Sequence, residues 1–163
     1  MALDYAGVLN RLVVIGPAAL LAGSRPPNTV HAKPYFWHVS EQFPYFTNRA
    51  APWTLDENSE DIDVIQQDFV MRLVIGHLAS GYNGERDEEF NLWLPQLMEY
   101  VSEREWLQSP AYPTKPVNLT RARLVNGTGY TAFRNSAVGN TVQIGTELTI
   151  RCEFDHDIQQ VYA

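Results

Sequence analysis

The stretch from Pro34 to Trp53, PYFWHVSEQFPYFTNRAAPW, places seven aromatic residues and three prolines within twenty positions. Its apolar residues follow neither a two-residue nor a 3.6-residue period. Each proline removes a backbone donor and fixes one dihedral, so the stretch reads as loop. Burying one such side chain is worth about 1.5–3 kcal/mol, so seven left in water would forgo on the order of 10–20 kcal/mol. The fold must therefore either wrap its own core around this arm or lend the arm to a neighbour. Some of these rings, Trp37 among them, are expected inside the chain's own core. A modest domain would struggle to cover all seven, and aromatics with arginine are the residue types that dominate interface energetics. The expectation is thus an oligomer arm, with Tyr35, Phe36, Trp37, Phe43, Tyr45, Phe46, Arg49 and Trp53 as interface residues.

The 163 residues suit one domain spanning 1–163, with 23–63 as an extended loop or arm. A formal charge of −7 argues against a protein that lives on nucleic-acid phosphates. The charge is unevenly distributed. Thirteen acids stand against Arg72, Arg86 and Arg104 between Asp56 and Glu105, a local balance of 3 − 13 = −10. From Trp106 to Thr146 there is no acid, only Lys115, Arg121, Arg123 and Arg134. Two solvated faces would explain this. A self-complementary surface, acidic on one subunit and basic on the next, would explain it too, and it makes Arg121, Arg123 and Arg134 further interface candidates.

Leu12 to Ala22, LVVIGPAALLA, is too short to span a bilayer, and the residues before it carry Asp4 and Arg11 rather than a net positive charge. It reads as a buried helix, or loop plus helix, broken near Gly16-Pro17, after a first helical segment from Leu3 to Leu12 capped by Asp4. Two short strands are expected in the arm, around Tyr35–Val39 and Phe43–Thr47. DFVMRLVIGHL, from Asp68, alternates Phe69, Met71, Leu73 and Ile75 against Val70, Arg72 and Val74, a strand buried on one side and mostly buried on the other. Gly81–Gly84 is a turn. A helix follows from Glu85, with Phe90, Leu94, Leu97, Met98 and Val101 as its stripe and a kink or restart at Pro95. LTRARLV (Leu119–Val125) is a strand, Asn126-Gly127 signals a hairpin, and Tyr130–Arg134 returns. After a Gly-Asn turn, Leu148, Ile150, Cys152 and Phe154 face one way in VQIGTELTIRCEFD. The sum is an α+β fold: a small mixed, mostly antiparallel sheet packed against two or three helices.

Catalytic signals are weak. Gly127-Thr-Gly129 lacks the lysine and following helix of a phosphate loop. The four histidines have no metal-ligand spacing. Asp155-His156-Asp157 ends a strand whose alternation sends His156 to the face opposite its neighbours. The acidic run Asp56–Asp63 has Asp61 where a calcium loop needs glycine. Cys152 reads as a buried thiol. The single cysteine permits no intrachain disulfide. Asn118-Leu-Thr120 and Asn126-Gly-Thr128 match the glycosylation sequon, which matters only after secretion. No catalytic, cofactor or metal site is assigned.

The block from Val64 to Asp157 resembles the tail terminator (tail completion, head–tail joining) proteins of long-tailed bacteriophages. DFVMRLVIGHL, NGERDEEFNLWLPQLMEYV with its Leu94-Pro95 break, LTRARLV, NGTGY, Phe133 and IGTELTIRCEFD carry the likeness, in pattern and order. The resemblance implies a small mixed sheet flanked by helices and a ring, usually of six subunits, that caps the tail tube and stops its polymerisation. The partners implied are other copies of the chain, the tail tube protein and a neck, stopper or connector protein, in a virion assembled in the host cytoplasm. It implies no cofactor and no enzymatic activity. DNA would pass the bore without specific binding, which suits a negatively charged subunit. A neck connector, expected to be a β-barrel or all-helical, and a small enzyme or ligand-binding domain using His38, Asp155 or His156, are the competing readings.

Overall fold

A computed structural model describes residues 4–34, 42–51, 64–78, 81–135 and 141–155. In chain order the elements are α1 (Tyr5–Leu21), β1 (His31–Lys33), β2 (Tyr45–Ala50), β3 (Val64–His77), α2 (Asp87–Ser102), β4 (Leu119–Gly127), β5 (Thr131–Asn135) and β6 (Thr141–Asp155). The strands form one sheet, ordered β1-β2-β3-β6-β4, with β5 also on β6. Only the β1–β2 pair is parallel. The fold is α+β, two helices on a mixed, mostly antiparallel sheet. The expected strand at Tyr35–Val39 lies outside the described residues, whereas the one near Phe43–Thr47 is β2, starting two residues later.

The long central strands follow their sequence alternation. Phe69 stands opposite Ile150 and Met71 opposite Leu148 in the β3–β6 ladder. Phe69, Met71, Leu73 and Ile75 from β3 meet Leu148, Ile150, Cys152 and Phe154 from β6 in one buried layer under the helices. The register slips once, between Val74 and Gly76. There Gly76 lies against the ring of Tyr82, where a Cβ would collide with it.

α1 begins where Asp4 accepts a hydrogen bond from the Gly7 amide at 2.9 Å. It then runs unbroken through Pro17 to Leu21, so the break expected at Gly16-Pro17 is not there. A proline inside a helix costs about 3 kcal/mol. Val8, Leu12 and Ile15 before it and Ala19 and Leu20 after it continue one buried stripe, and their burial outweighs that cost. Gly16 lets the helix approach the sheet: a Cβ there would stand 3.1 Å from three atoms of the Phe46 ring.

α2 carries three acids in its first turn, where the helix dipole favours them. Its buried residues are Phe90, Trp93, Leu97 and Val101. Trp93 thus replaces Leu94 in the expected stripe, and Met98 is exposed. The Trp93 indole donates to the Arg25 carbonyl at 2.8 Å, which satisfies its one polar atom and lets the ring go under. As with Pro17, Pro95 is contained within a single helix.

The expected β4–β5 hairpin is also corrected. Both strands pair antiparallel with the same partner, Gly127 opposite Leu148 and Thr131 opposite Gly145. They are consecutive pieces of one edge, separated by a bulge at Thr128–Tyr130. Thr128 donates to the Glu147 carbonyl at 3.0 Å, and its hydroxyl accepts from the Glu147 amide at 3.0 Å. Gly129, with φ of 67°, supplies the left-handed residue that lets the strand resume instead of returning. The turn signal at Asn126-Gly127 marks an interruption, and the actual return falls between β5 and β6.

Candidate functional site

Both helices pack on one face of the sheet, and the opposite face carries its polar side chains. On that open face the alternation of β3 and β6 sets charges opposite one another. Arg72 stands across from Glu147 and Asp68 across from Arg151. Arg151 grips Asp68 with two nitrogens, at 2.9 and 3.2 Å, and this bonding raises the already high pKa of the guanidinium. Arg72 donates from Nε to Glu147 Oε1 at 2.7 Å, adds a second nitrogen to the same oxygen, and lies 4.6 Å from the centre of the Phe133 ring. Arg49 on β2 reaches Glu147 at 3.9 Å, and Arg123 on β4 reaches Glu153 at 3.7 Å. Arg121 shares the Glu153 register position, is exposed, and has no ion pair among the described residues.

Counted over residues 45–50, 65–77, 119–127 and 142–154, this face carries five arginines (49, 72, 121, 123, 151) and three carboxylates (Asp68, Glu147, Glu153). Over those residues it is cationic by two charges, in a chain of net charge −7. The helix layer is the reverse. Between Glu85 and Glu105 seven acids stand against Arg86 and Arg104. Glu88, which pairs with Arg25 at 2.7 Å, remains largely exposed.

At one end the open face closes over a polar chain. Gln143 accepts from Arg72 at 2.7 Å and donates to the Tyr45 hydroxyl at 3.1 Å. That hydroxyl lies 2.6 Å from Nε2 of His77. Tyr45, His77 and Gln143 are all buried. Burial drives the Tyr45 phenol well above its usual pKa, so at neutral pH it is a neutral link, able to donate or accept. Phe43 covers this end, stacked on Tyr45 with ring centres 5.8 Å apart and edge-on to His77 at 5.0 Å. The Phe43–Pro44 peptide bond is cis.

The residues expected at an interface therefore separate into several groups. Arg49, Arg121 and Arg123 share the open face. Arg134 pairs with Val142, whose side chain joins the core, so Arg134 belongs to the helix side of the sheet. Tyr45 and Phe46 are buried at 0 % exposure and offer no surface to a partner: Tyr45 sits in the polar chain, Phe46 in the core under α1. Part of the arm is thus hidden by the chain itself. Phe43 is half-buried. Tyr35, Phe36, Trp37 and Trp53 lie outside the described residues, as do His38, the acidic run 56–63 and most of Asp155-His156-Asp157. Arg72, Arg151, Asp68 and Glu147 were not singled out from the sequence. Their signal was there, as opposite charges on the outward positions of two strands that pair.

A separate groove of about 680 Å³ runs between Arg25–Thr29, Phe43, the start of α2 and Trp93. Arg25, Arg86, Glu85 and Glu89 line it with charges of both signs, so it concentrates neither sign of ligand. Among the described residues no three His, Cys, Asp or Glu side chains gather as a metal site would need. Cys152 is buried and its thiol is pushed up to about 12, which leaves it neutral and unreactive. No described helix is long and apolar enough to cross a membrane.

No family model and no curated protein matches this chain. The candidate site therefore stands on its own geometry: a charged, ion-paired sheet face, opposite a helix layer of the other sign.

Proposed function

We propose that this chain is a structural virion protein of the tail terminator type, a subunit of a ring that caps the tail tube of a long-tailed bacteriophage. The ring ends tube polymerisation and offers the surface on which the neck docks. One observation carries the reading: two helices lie on the same face of a mixed, mostly antiparallel sheet, the layout that the resemblance implies. Opposite charge excess on the two faces adds support, since head-to-tail rings need two different, complementary surfaces on each subunit. Among the described residues the sheet is open, with β1 at one end and β4 at the other, which speaks against the barrel expected of a neck component. In this reading the protein works by shape and contact, and no catalytic step is assigned to it.

Tube capping tests this directly. Tail tube protein is polymerised with and without the purified chain, and tube lengths are measured by electron microscopy. Added protein should shorten the tubes in a dose-dependent way and leave extra density at one tube end only. Unchanged lengths and bare ends, with folded protein present in excess, would overturn the proposal.

A further inference from the structure

We propose that copies of this chain associate head to tail, the open sheet face of one seated on the outer side of α2 in the next. This rests on the reading of the chain as a ring subunit and names the surfaces that meet. The sheet face supplies the cationic side, through Arg49 and Arg121. Arg121 has no ion pair among the described residues, and Arg49 remains about half exposed.

The outer side of α2 supplies the anionic one. Glu88, Leu92, Glu99 and Glu103 fall at intervals of four, eleven and fifteen residues, which the 3.6-residue turn places along one stripe. Leu92 is 43 % exposed in the middle of these acids. Isolated surface leucines are ordinary, but an apolar residue on a stripe of charged ones is the composition of an interface core with a polar rim. Glu88 already pairs with Arg25, so the excess negative charge lies toward Glu99 and Glu103. At the far end Glu103 makes only a long contact, 3.9 Å, with neighbouring Arg104, and Glu99 has no ion pair among the described residues. Glu99 lies in the last turn of α2 and Glu103 caps it, where the dipole disfavours negative charge, and that turn contains no basic residue.

The dimensions agree. Arg49 and Arg121 are on strands three steps apart, about 14 Å across the sheet, and four residues apart along it, about 13 Å, so about 19 Å in all. Along the helix axis Glu88 is about 16 Å from Glu99 and about 22 Å from Glu103, which brackets that separation. Because the two surfaces are on opposite layers of one subunit, repetition of the contact propagates from copy to copy and closes if the rotation allows.

A charge-reversal exchange tests this. One variant carries Arg49→Glu and Arg121→Glu, the other Glu99→Lys and Glu103→Lys. All four positions are on the surface, and lysine near the end of α2 suits the dipole. Circular dichroism melting checks that both fold, and Arg121→Glu alone serves if the double substitution does not. Sedimentation velocity then follows wild type, each variant and an equimolar mixture. Each variant alone should show an apparent dissociation constant at least tenfold above wild type. In the mixture each acidic sheet face meets a basic helix, and each basic face an acidic helix, so assembly should return to within about threefold of wild type. Variants that assemble like wild type, or a mixture no better than its parts, overturn the contact while leaving the ring reading intact. A wild-type chain that stays monomeric at high concentration overturns both.

Discussion

Substituting Phe46 by alanine separates the two roles its segment was open to. If the ring served a neighbour, the isolated chain would be indifferent to its loss. The structure buries it at 0 % exposure, between the core face of the sheet and Gly16 of α1. Removing a buried phenylalanine side chain costs about 3–5 kcal/mol, the transfer term plus the cavity left behind. With a urea slope near 2 kcal/mol/M, the unfolding midpoint should fall by about 1.5–2.5 M. A chain of this size should also lose on the order of 10 °C in Tm. Gly16 supplies the internal control. A Cβ there would stand 3.1 Å from the ring, so Gly16→Ala should destabilise the wild type. It should cost less in a Phe46→Leu background, where the smaller side chain makes room, and the coupling should exceed about 0.5 kcal/mol. Urea denaturation of the four proteins, at a concentration where wild type is monomeric, reads this out. A loss below about 1 kcal/mol for Phe46→Ala, or strict additivity with Gly16→Ala, would refute the placement of the ring beneath α1.

Other expectations follow from the same contacts. Gly145→Ala should be among the most damaging single changes, costing about 3 kcal/mol or more in a denaturant titration, because the new Cβ would fall on the Leu73 carbonyl rather than on a movable side chain. Arg11 is 8 % exposed and donates to the carbonyls of Tyr112 (3.2 Å) and Thr114 (2.8 Å). Arg11→Lys cannot reproduce that fork, so limited proteolysis should cut faster within 106–118 in the variant. The Cys152 thiol stays neutral to about pH 12 when folded, against an ordinary value of 9.0, so the unfolded chain releases its proton first. Stability should therefore fall as pH rises above about 9, and Cys152→Ala should flatten that fall in a pH series of melts. Buried Tyr45 and half-buried Tyr82, both raised, steepen it further from about pH 10 in either protein. Arg72→Ala removes the link between Glu147 and Gln143 and should cost about 2 kcal/mol by the same titration.

What was legible in the sequence was the part written in a period. β3 and β6 alternate so regularly that their buried sides could be assigned residue by residue, and Asp4 could be recognised as a cap. Three features were hidden because local signals point the wrong way. Pro17 is a breaker by propensity, but the buried stripe on both sides of it outweighs one lost hydrogen bond. Asn126-Gly127 has the chemistry of a hairpin, but β6 is long enough to pair with both β4 and β5, so the chain bulges and continues. Trp93 is absent from the expected stripe, and the Arg25 carbonyl that satisfies its indole nitrogen on burial is sixty-eight residues away in sequence. Leu107 is of the same kind. Its φ of 56° is costly for a leucine, roughly 1–2 kcal/mol, and full burial offsets it, which no local pattern announces. The open face was half legible: outward charges on paired strands were visible, but the pairing that joins Arg72 to Glu147 and Asp68 to Arg151 needs the register.

Native mass spectrometry of the purified chain over a concentration series measures the central claim most directly. A ring subunit should give one closed oligomer of fixed stoichiometry, with little between monomer and ring, and should retain it when tail tubes are added. Monomer alone at the highest concentration, with or without tubes, would contradict the account.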